Sequence, residues 1–282
     1  MTLRQCFISF ALVLLTIATP ARAWQTKHYV DLELILAVDV SRSMNALRLK
    51  LQRNGYVAAF RDSRVLRAIQ SGPQGRIAVT YVEWSGAAMQ NTVLAWRIIE
   101  TRQDALAFAD ALTRQPTTRT RRTSISAMLN KAGEMFAQND VEGLRKVIDI
   151  SGDGPNNSGP SIVLARNALL RQGVVINGLP IVAEPAGLSG YLELENLDLY
   201  YRDCVIGGPG SFYIAVESMS NFANAVRKKL IREIAGAPAQ RRPLLYKAQY
   251  APQPFVSEAS SEPSLDCRIG RRDRLIPALP KE

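Results

Sequence analysis

At 282 residues, with 47% hydrophobic and 21% charged composition, the chain can bury a sizeable core and sits near the upper size for one domain. Its formal charge of +10 comes from Lys and Arg spread along the sequence, with no dense basic block interleaved with aromatics, which argues against nucleic-acid binding. A single histidine, His28, leaves a Ser-His-Asp hydrolase without a base near its nucleophile, and the lack of clustered His or Cys argues against zinc catalysis.

The first 23 residues read as a secretory signal: a basic start with Arg4, an apolar run from Cys6 to Ala18, and Ala21-Arg22-Ala23 as the cleavage end. The run is too short to span a bilayer comfortably. The mature chain is expected to begin near Trp24 and to lie in the periplasm or outside the cell, without a membrane span. Cleavage removes Arg4 and Arg22 and no acid, which lowers the formal charge from +10 to +8. Cys6 leaves with the signal. In an oxidising compartment Cys204 and Cys267 either pair or remain two thiols.

From Asp31 to Asp39 alternation passes into a continuous apolar run, the pattern of a central parallel strand covered on both faces. Leu47, Leu51, Gly55, Ala58, Ala59, Val65, Leu66 and Ile69 suit a long helix broken near Asp62-Ser63. Arg76–Trp84 and Asn91–Ile99 are separated by about six residues and predict an antiparallel edge hairpin. Thr101 with Asp104 three residues on resembles a capping box that opens a helix to Leu112. Ile125, Met128, Leu129, Ala132, Met135 and Phe136 form one helical stripe. Lys146–Ile150 reads as a strand, Ser161–Gln172 as a helix stopped by Gly173, and Val174–Val182 as a strand. Ser211–Glu217 is expected to be the last strand, and Phe222, Val226, Leu230 and Ile234 a final helix ending at Gly236. This alternation predicts an α/β fold, a doubly wound and mostly parallel sheet with one antiparallel edge strand and helices on both faces. Such sheets bind ligands at the carboxyl ends of their strands. Three parts follow: signal 1–23, domain 24–235, and a tail 236–282 whose seven prolines and lack of any sustained period predict disorder.

Three loops at those strand ends carry oxygen ligands. After the opening strand comes Asp39-Val40-Ser41-Arg42-Ser43, where alternate residues of an extended turn project one carboxylate and two hydroxyls together. Thr123 stands before the amphipathic helix, and Asp153 lies in Ser151-Gly152-Asp153-Gly154, past the Lys146 strand. Hard oxygen donors suit magnesium, manganese or calcium. Alone, the first loop is a weak signal that reads more readily as helix capping; three such loops on one side of a sheet are far more specific. Asn156-Asn157-Ser158 formally matches a glycosylation acceptor but falls inside the third loop and is discounted. Gly207-Gly208-Pro209-Gly210 lacks a following Lys-Ser/Thr and reads as a turn, not a phosphate loop.

The set D-x-S-x-S, Thr, Asp-Gly resembles the metal-ion-dependent adhesion site of von Willebrand factor A domains, carried here by Asp39, Ser41, Ser43, Thr123 and Asp153 with Gly154 over about residues 31–235. More narrowly, Asp149–Asn157 and Cys204–Gly210 resemble an uncharacterised bacterial group of exported proteins, a domain of unknown function. Ser-Gly-Asp-Gly departs from the usual Thr-Asp-Gly, and Arg121-Arg122 stand where a Gly-rich approach is frequent. The resemblance implies hydroxyl ligation by Ser41, Ser43 and Thr123, with Asp39 and Asp153 acting mainly through water. One open position would take an Asp or Glu of a protein partner, bordered by Arg42, Arg119, Arg121 and Arg122. The leading expectation is therefore a binding module and not an enzyme. The alternatives are a metal-assisted hydrolase, or a structural envelope factor with a vestigial metal site.

Overall fold

The computed structural model describes residues 27–182, 196–236 and 266–268. The expected signal segment and most of the expected disordered tail lie outside the described residues. A short strand β1 (His28–Val30) precedes the central strand β2 (Leu32–Asp39), all eight residues of which are buried. Helices α1 (Ala46–Arg61) and α2 (Ser63–Gln70) follow, then β3 (Ile77–Trp84) and β4 (Gln90–Ile99). Next come α3 (Arg102–Arg114), α4 (Ile125–Gln138), the short β5 (Val141–Gly143) and β6 (Lys146–Gly152). The series ends with α5 (Ile162–Leu170), β7 (Val175–Pro180), α6 (Leu197–Tyr200) running into a π-helical turn over Tyr201–Val205, and α7 (Phe222–Ala235).

The main sheet has the order β4-β3-β2-β6-β7, parallel throughout except where β4 runs antiparallel to β3. This is the doubly wound sheet with one antiparallel edge that the alternation of elements predicts. β1 and β5 form a separate parallel pair that the sequence pattern did not reveal; three-residue strands are too short to carry a period. Asp62 makes the predicted break. Its backbone N–H closes α1 on Ala59 O, and its carboxylate then caps α2 through Arg64 N at 2.8 Å. Thr101 and Asp104 form the reciprocal capping box that opens α3.

One apolar layer joins α1, α2, α3 and α7 to the sheet through Leu34, Leu36, Val38, Tyr56, Phe60, Phe108, Phe222 and Leu230. The opposite layer packs α4, α5 and α6 through Ile35, Trp84, Met128, Leu129, Ile148 and Tyr200. Each fully buried large side chain contributes on the order of 1.5–3 kcal/mol to folding. Gly55 lets α7 approach α1, since a Cβ there would meet Phe222 Cδ1 at 2.6 Å.

Ser211–Glu217 corrects the expectation of a last strand. The segment lies beside β7 but makes only isolated parallel bridges, Gly178 with Tyr213 and Ile181 with Val216. Pro180 lies between the two bridges and has no N–H to give the Ile214 carbonyl, which interrupts the ladder, while ahead of the first bridge the Asn177 side-chain carbonyl takes the backbone N–H of Phe212 at 3.0 Å. Cys204 and Cys267 are joined by a disulfide that holds residues 266–268 against the α4–α6 layer. No helix among the described residues is long and apolar enough to cross a membrane.

Candidate metal centre

β2 and β6 are neighbours, so Asp39 and the 151–154 loop leave the same end of the sheet side by side. Asp39 is fully buried and its Oδ1 accepts the backbone N–H of Ser41 at 2.7 Å, which bends the chain into the turn that follows. Ser41 Oγ lies 3.0 Å from Ser43 Oγ, and Ser43 donates to Asp153 Oδ1 at 2.6 Å. A continuous polar chain therefore runs from Asp39 through both serines to Asp153. Ser43 is the exposed member and opens the site to solvent.

The second loop is brought in by backbone pairing. Thr120 N–H donates to Val40 O at 3.2 Å, and Ser41 and Thr120 form a parallel bridge. Thr123 is then clamped to the third loop from both sides. Its N–H donates to Asn157 Oδ1 at 2.9 Å, while its carbonyl accepts from Asn157 N at 2.9 Å and Ser158 N at 3.1 Å. A Cβ on Gly154 would lie 3.9 Å from Thr123 Oγ1, so that hydroxyl faces the loop that carries Asp153. The five residues singled out in the sequence thus come from three loops at one end of the sheet. No hydrogen bond of Thr123 Oγ1 enters the chain formed by the other four.

Several supporting residues escaped sequence reasoning. Asn156 is buried and its Oδ1 accepts from Ser126 N and Ser126 Oγ, each at 3.0 Å, which fixes the start of α4. With Asn157 it welds the second and third loops; the glycosylation match concealed this role. Arg48, in the first turn of α1, stands with Nη1 3.7 Å from Asp153 Oδ2. On a helix whose polar and apolar residues do not separate into clean faces, it reads as one more surface cation, and only its burial reveals the contact. Arg53 is also buried, pairing with Glu83 and donating to Gln115 O at 2.6 Å, so it anchors the approach to the second loop.

Electrostatically the centre is short of positive charge. Burial pushes the Asp39 carboxyl well above its usual range, Asp153 pushes it further, and the Ser41 hydrogen bonds only partly oppose them. Burial likewise raises Asp153, opposed by the Ser43 hydroxyl and the Arg48 guanidinium. Two carboxylates thus face one arginine. Asp39 Oδ2 is buried with no hydrogen-bond partner among the described residues. Beside it Gly152 leaves room: a Cβ there would sit 2.9 Å from Asp39 Oδ2 and 2.8 Å from the Tyr201 hydroxyl. An unpartnered oxygen, a glycine-made space and an all-oxygen donor set fit a hard divalent cation. No cluster of three His, Cys, Asp or Glu exists among the described residues, so the hydroxyls would have to complete any such set.

The rim is basic. Arg42, Arg119, Arg121 and Arg122 are exposed around the mouth, and Arg119 reaches across to donate to the Arg42 carbonyl. Arg122 adopts φ 71°, the one positive value among the described non-glycine residues. The sequence departure from a Gly-rich approach is therefore a strained arginine at the entrance.

A family model described as a protein of unknown function (DUF1194) matches residues 29–238. No curated protein matches the chain. Among solved structures, proximal thread matrix protein 1 from the mussel byssus is 16% identical, covering 74% of this chain and 47% of that one, with a TM-score of 0.51. The pilus adhesin SpaC from Lactobacillus rhamnosus GG is 15% identical over 74% of this chain and 32% of that one, with a TM-score of 0.52. A von Willebrand factor type A protein from Catenulispora acidiphila is 18% identical over 73% of this chain and 43% of that one, with a TM-score of 0.48. The chain spans less than half the length of each. At these identities the likeness to the first two shows a shared fold.

Proposed function

We propose, from the premise that this chain belongs to the DUF1194 family, that it is an exported binding module which takes one divalent cation and presents it to a carboxylate of a partner protein. The observation that carries the reading is the buried Asp39–Asp153 pair, short by one positive charge even with Arg48 in place, with Asp39 Oδ2 left unpartnered. Asp39, Ser41, Ser43, Thr123 and Asp153 would hold the ion, magnesium, manganese or calcium by donor type. When bound, such an ion supplies an electrophilic centre for an incoming Asp or Glu.

The protein's own part is positional and electrostatic. The Ser41 N–H fixes the Asp39 carboxylate, Asn157 fixes Thr123, and Arg48 holds Asp153. Exposed Ser43 marks the entrance, and the arginine rim draws an acidic surface toward it and adds charge-assisted contacts. A pilus adhesin is among the proteins that share the fold, which is in keeping with a binding role and names no partner.

The test is thermal unfolding of the protein in chelator and across magnesium, manganese and calcium titrations, beside an Asp39→Ala, Asp153→Ala double variant. A ligand of the folded state stabilises it by about 2.7 kcal/mol at 100 times its Kd, which at about 2–4 °C per kcal/mol for a domain of this size moves the midpoint by several degrees. The expected outcome is a rise in the parent protein that the variant lacks. Equal midpoints in chelator and saturating cation would remove the metal from the reading and leave the structural alternative.

A further inference from the structure

The fully buried charges beneath α7 belong to none of the site's loops. Asp149 projects from the middle of β6, and Lys229 and Glu233 stand one turn apart on α7; all three are essentially inaccessible to solvent. Lys229 Nζ lies 2.7 Å from Asp149 Oδ1 and also contacts Glu233 Oε1. Asn177 of β7 holds that same Glu233 oxygen through Nδ2 at 3.0 Å, and the Phe212 ring covers Lys229 Nζ at 5.5 Å from its centroid. Neither Asp149 oxygen has an aligned hydrogen-bond donor among the described residues, so the lysine's approach is close without the geometry of a hydrogen bond.

Ions kept in so dry a place lose their hydration, and only their mutual attraction offsets that cost. Asp149 and Lys229 sit on separate elements held together by the whole α7 interface, so their approach needs no further ordering. Groups fixed in this way reach effective concentrations on the order of 10⁵–10⁸ M, enough to favour a condensation that free amine and acid in water do not complete.

We propose that Lys229 and Asp149 join in an intramolecular isopeptide bond, with Glu233 as the catalytic proton carrier, which covalently fastens α7 to the central strand β6. The Glu233 carboxylate takes a proton from the Lys229 ammonium. The freed amine lone pair attacks Asp149 Cγ, and Glu233 returns the proton to an Asp149 oxygen. A second nitrogen proton follows the same path, the Cγ–O bond breaks, and that oxygen departs as water while Glu233 is regenerated. The nitrogen loses two protons, the oxygen gains two, and no oxidant or reductant enters. The surroundings suit proton relay: burial, and then the Asp149 charge, push the Glu233 carboxyl up to about 7, and burial raises Asp149 despite Lys229.

Peptide mapping of the reduced, denatured full chain tests this directly. Trypsin should fail to cut after Lys229 and release one branched peptide that joins residues 147–166 to 229–232, lighter by one water than the two peptides together. Recovery of the unlinked 147–166 peptide with free cleavage after Lys229 in the parent protein would overturn the bond. Lys229→Arg keeps the charge and serves as the unlinked reference. Glu233→Gln, its fold checked by circular dichroism, should likewise yield the unlinked peptide; a linked Glu233→Gln chain would overturn the role given to Glu233.

Discussion

Arg48 decides how strongly the candidate centre holds a cation, because it already supplies part of the positive charge that the two carboxylates lack. Its guanidinium lies 3.7 Å from Asp153 Oδ2. A unit pair at that separation is worth about 4 kcal/mol at an effective dielectric near 20. Arg48→Gln should therefore tighten divalent binding by about tenfold, which is only ~1.4 kcal/mol of that sum, and lower stability in chelator. Cation titrations followed by unfolding midpoint read both effects, and unchanged or weaker affinity would assign Arg48 a purely structural part. Gly152→Ala acts in the opposite sense. Its Cβ would enter the space between Asp39 Oδ2 and the Tyr201 hydroxyl, so the cation response should be lost. The overpacking itself should cost about 1–3 kcal/mol. The convergence of Asp39, Thr123 and Asp153 at one end of the sheet was legible in the sequence because each follows a strand or precedes a helix in order. The clamps were not: Arg48, Asn156 and Asn157 carry ordinary surface identities, and burial of the first two and the backbone bonds between Asn157 and Thr123 are what give them their task.

Between elements, polar side chains set the junctions that hydrophobic packing leaves undefined. Asp62 ends α1, caps α2 and pairs with Arg64 at 2.7 Å and with Arg227 of α7 at 3.7 Å. Hydrogen bonding to Arg64 is the largest cause that lowers its carboxyl from 3.8 to about 2. A carboxylate depressed in the folded state contributes stability that is present above its unfolded pKa and lost as pH falls through the folded one. Asp62→Ala should cost about 1 kcal/mol at neutral pH as a lost cap. Most of that difference should close between pH 4 and pH 2 in urea titrations run at both ends; a pH-independent gap would show that the charge contributes nothing. Glu83 and Arg53 are buried partners between β3 and α1, with Thr118 donating to Glu83 at 3.3 Å. Removing one member leaves an uncompensated buried charge, so Glu83→Gln should cost about 3–5 kcal/mol by urea unfolding. At this scale the sequence was read well wherever a cap or a period spoke, as at Thr101 and Asp62. It misled at a β-rich stretch, Ser211–Glu217, whose ladder with β7 is interrupted at Pro180, which has no N–H to donate. It was silent at Lys229 and Glu233, because an i, i+4 Lys/Glu pair on a helix ordinarily marks the solvated face.

Across the whole molecule, each apolar layer carries a fastening of its own, and the two differ in kind. On the α7 face the link is the Lys229–Asp149 contact within the core. On the α6 face it is the Cys204–Cys267 disulfide, which brings residues 266–268 back over 63 positions of sequence and packs Cys267 beside the Tyr200 and Cys204 layer. Cys204 is wholly buried, so loss of the bond also releases the chain segment that covers it. Closing a loop of this length is worth about 4 kcal/mol in the chain-entropy account, within the ~2–5 kcal/mol range for native disulfides. Such a bond persists in an oxidising compartment and not in a glutathione-buffered one, so the stability of this protein should depend on export. Cys267→Ser should therefore unfold at a midpoint several degrees below the parent protein, and the parent protein in reductant should match it. Because the Asp39, Ser43 and Asp153 chain hangs from β2 and β6 and not from α6, the cation-dependent rise should persist in both. If reduction abolished that rise while leaving the fold intact, the carboxyl end of the sheet and the disulfide-held segment would have to form one cooperative unit.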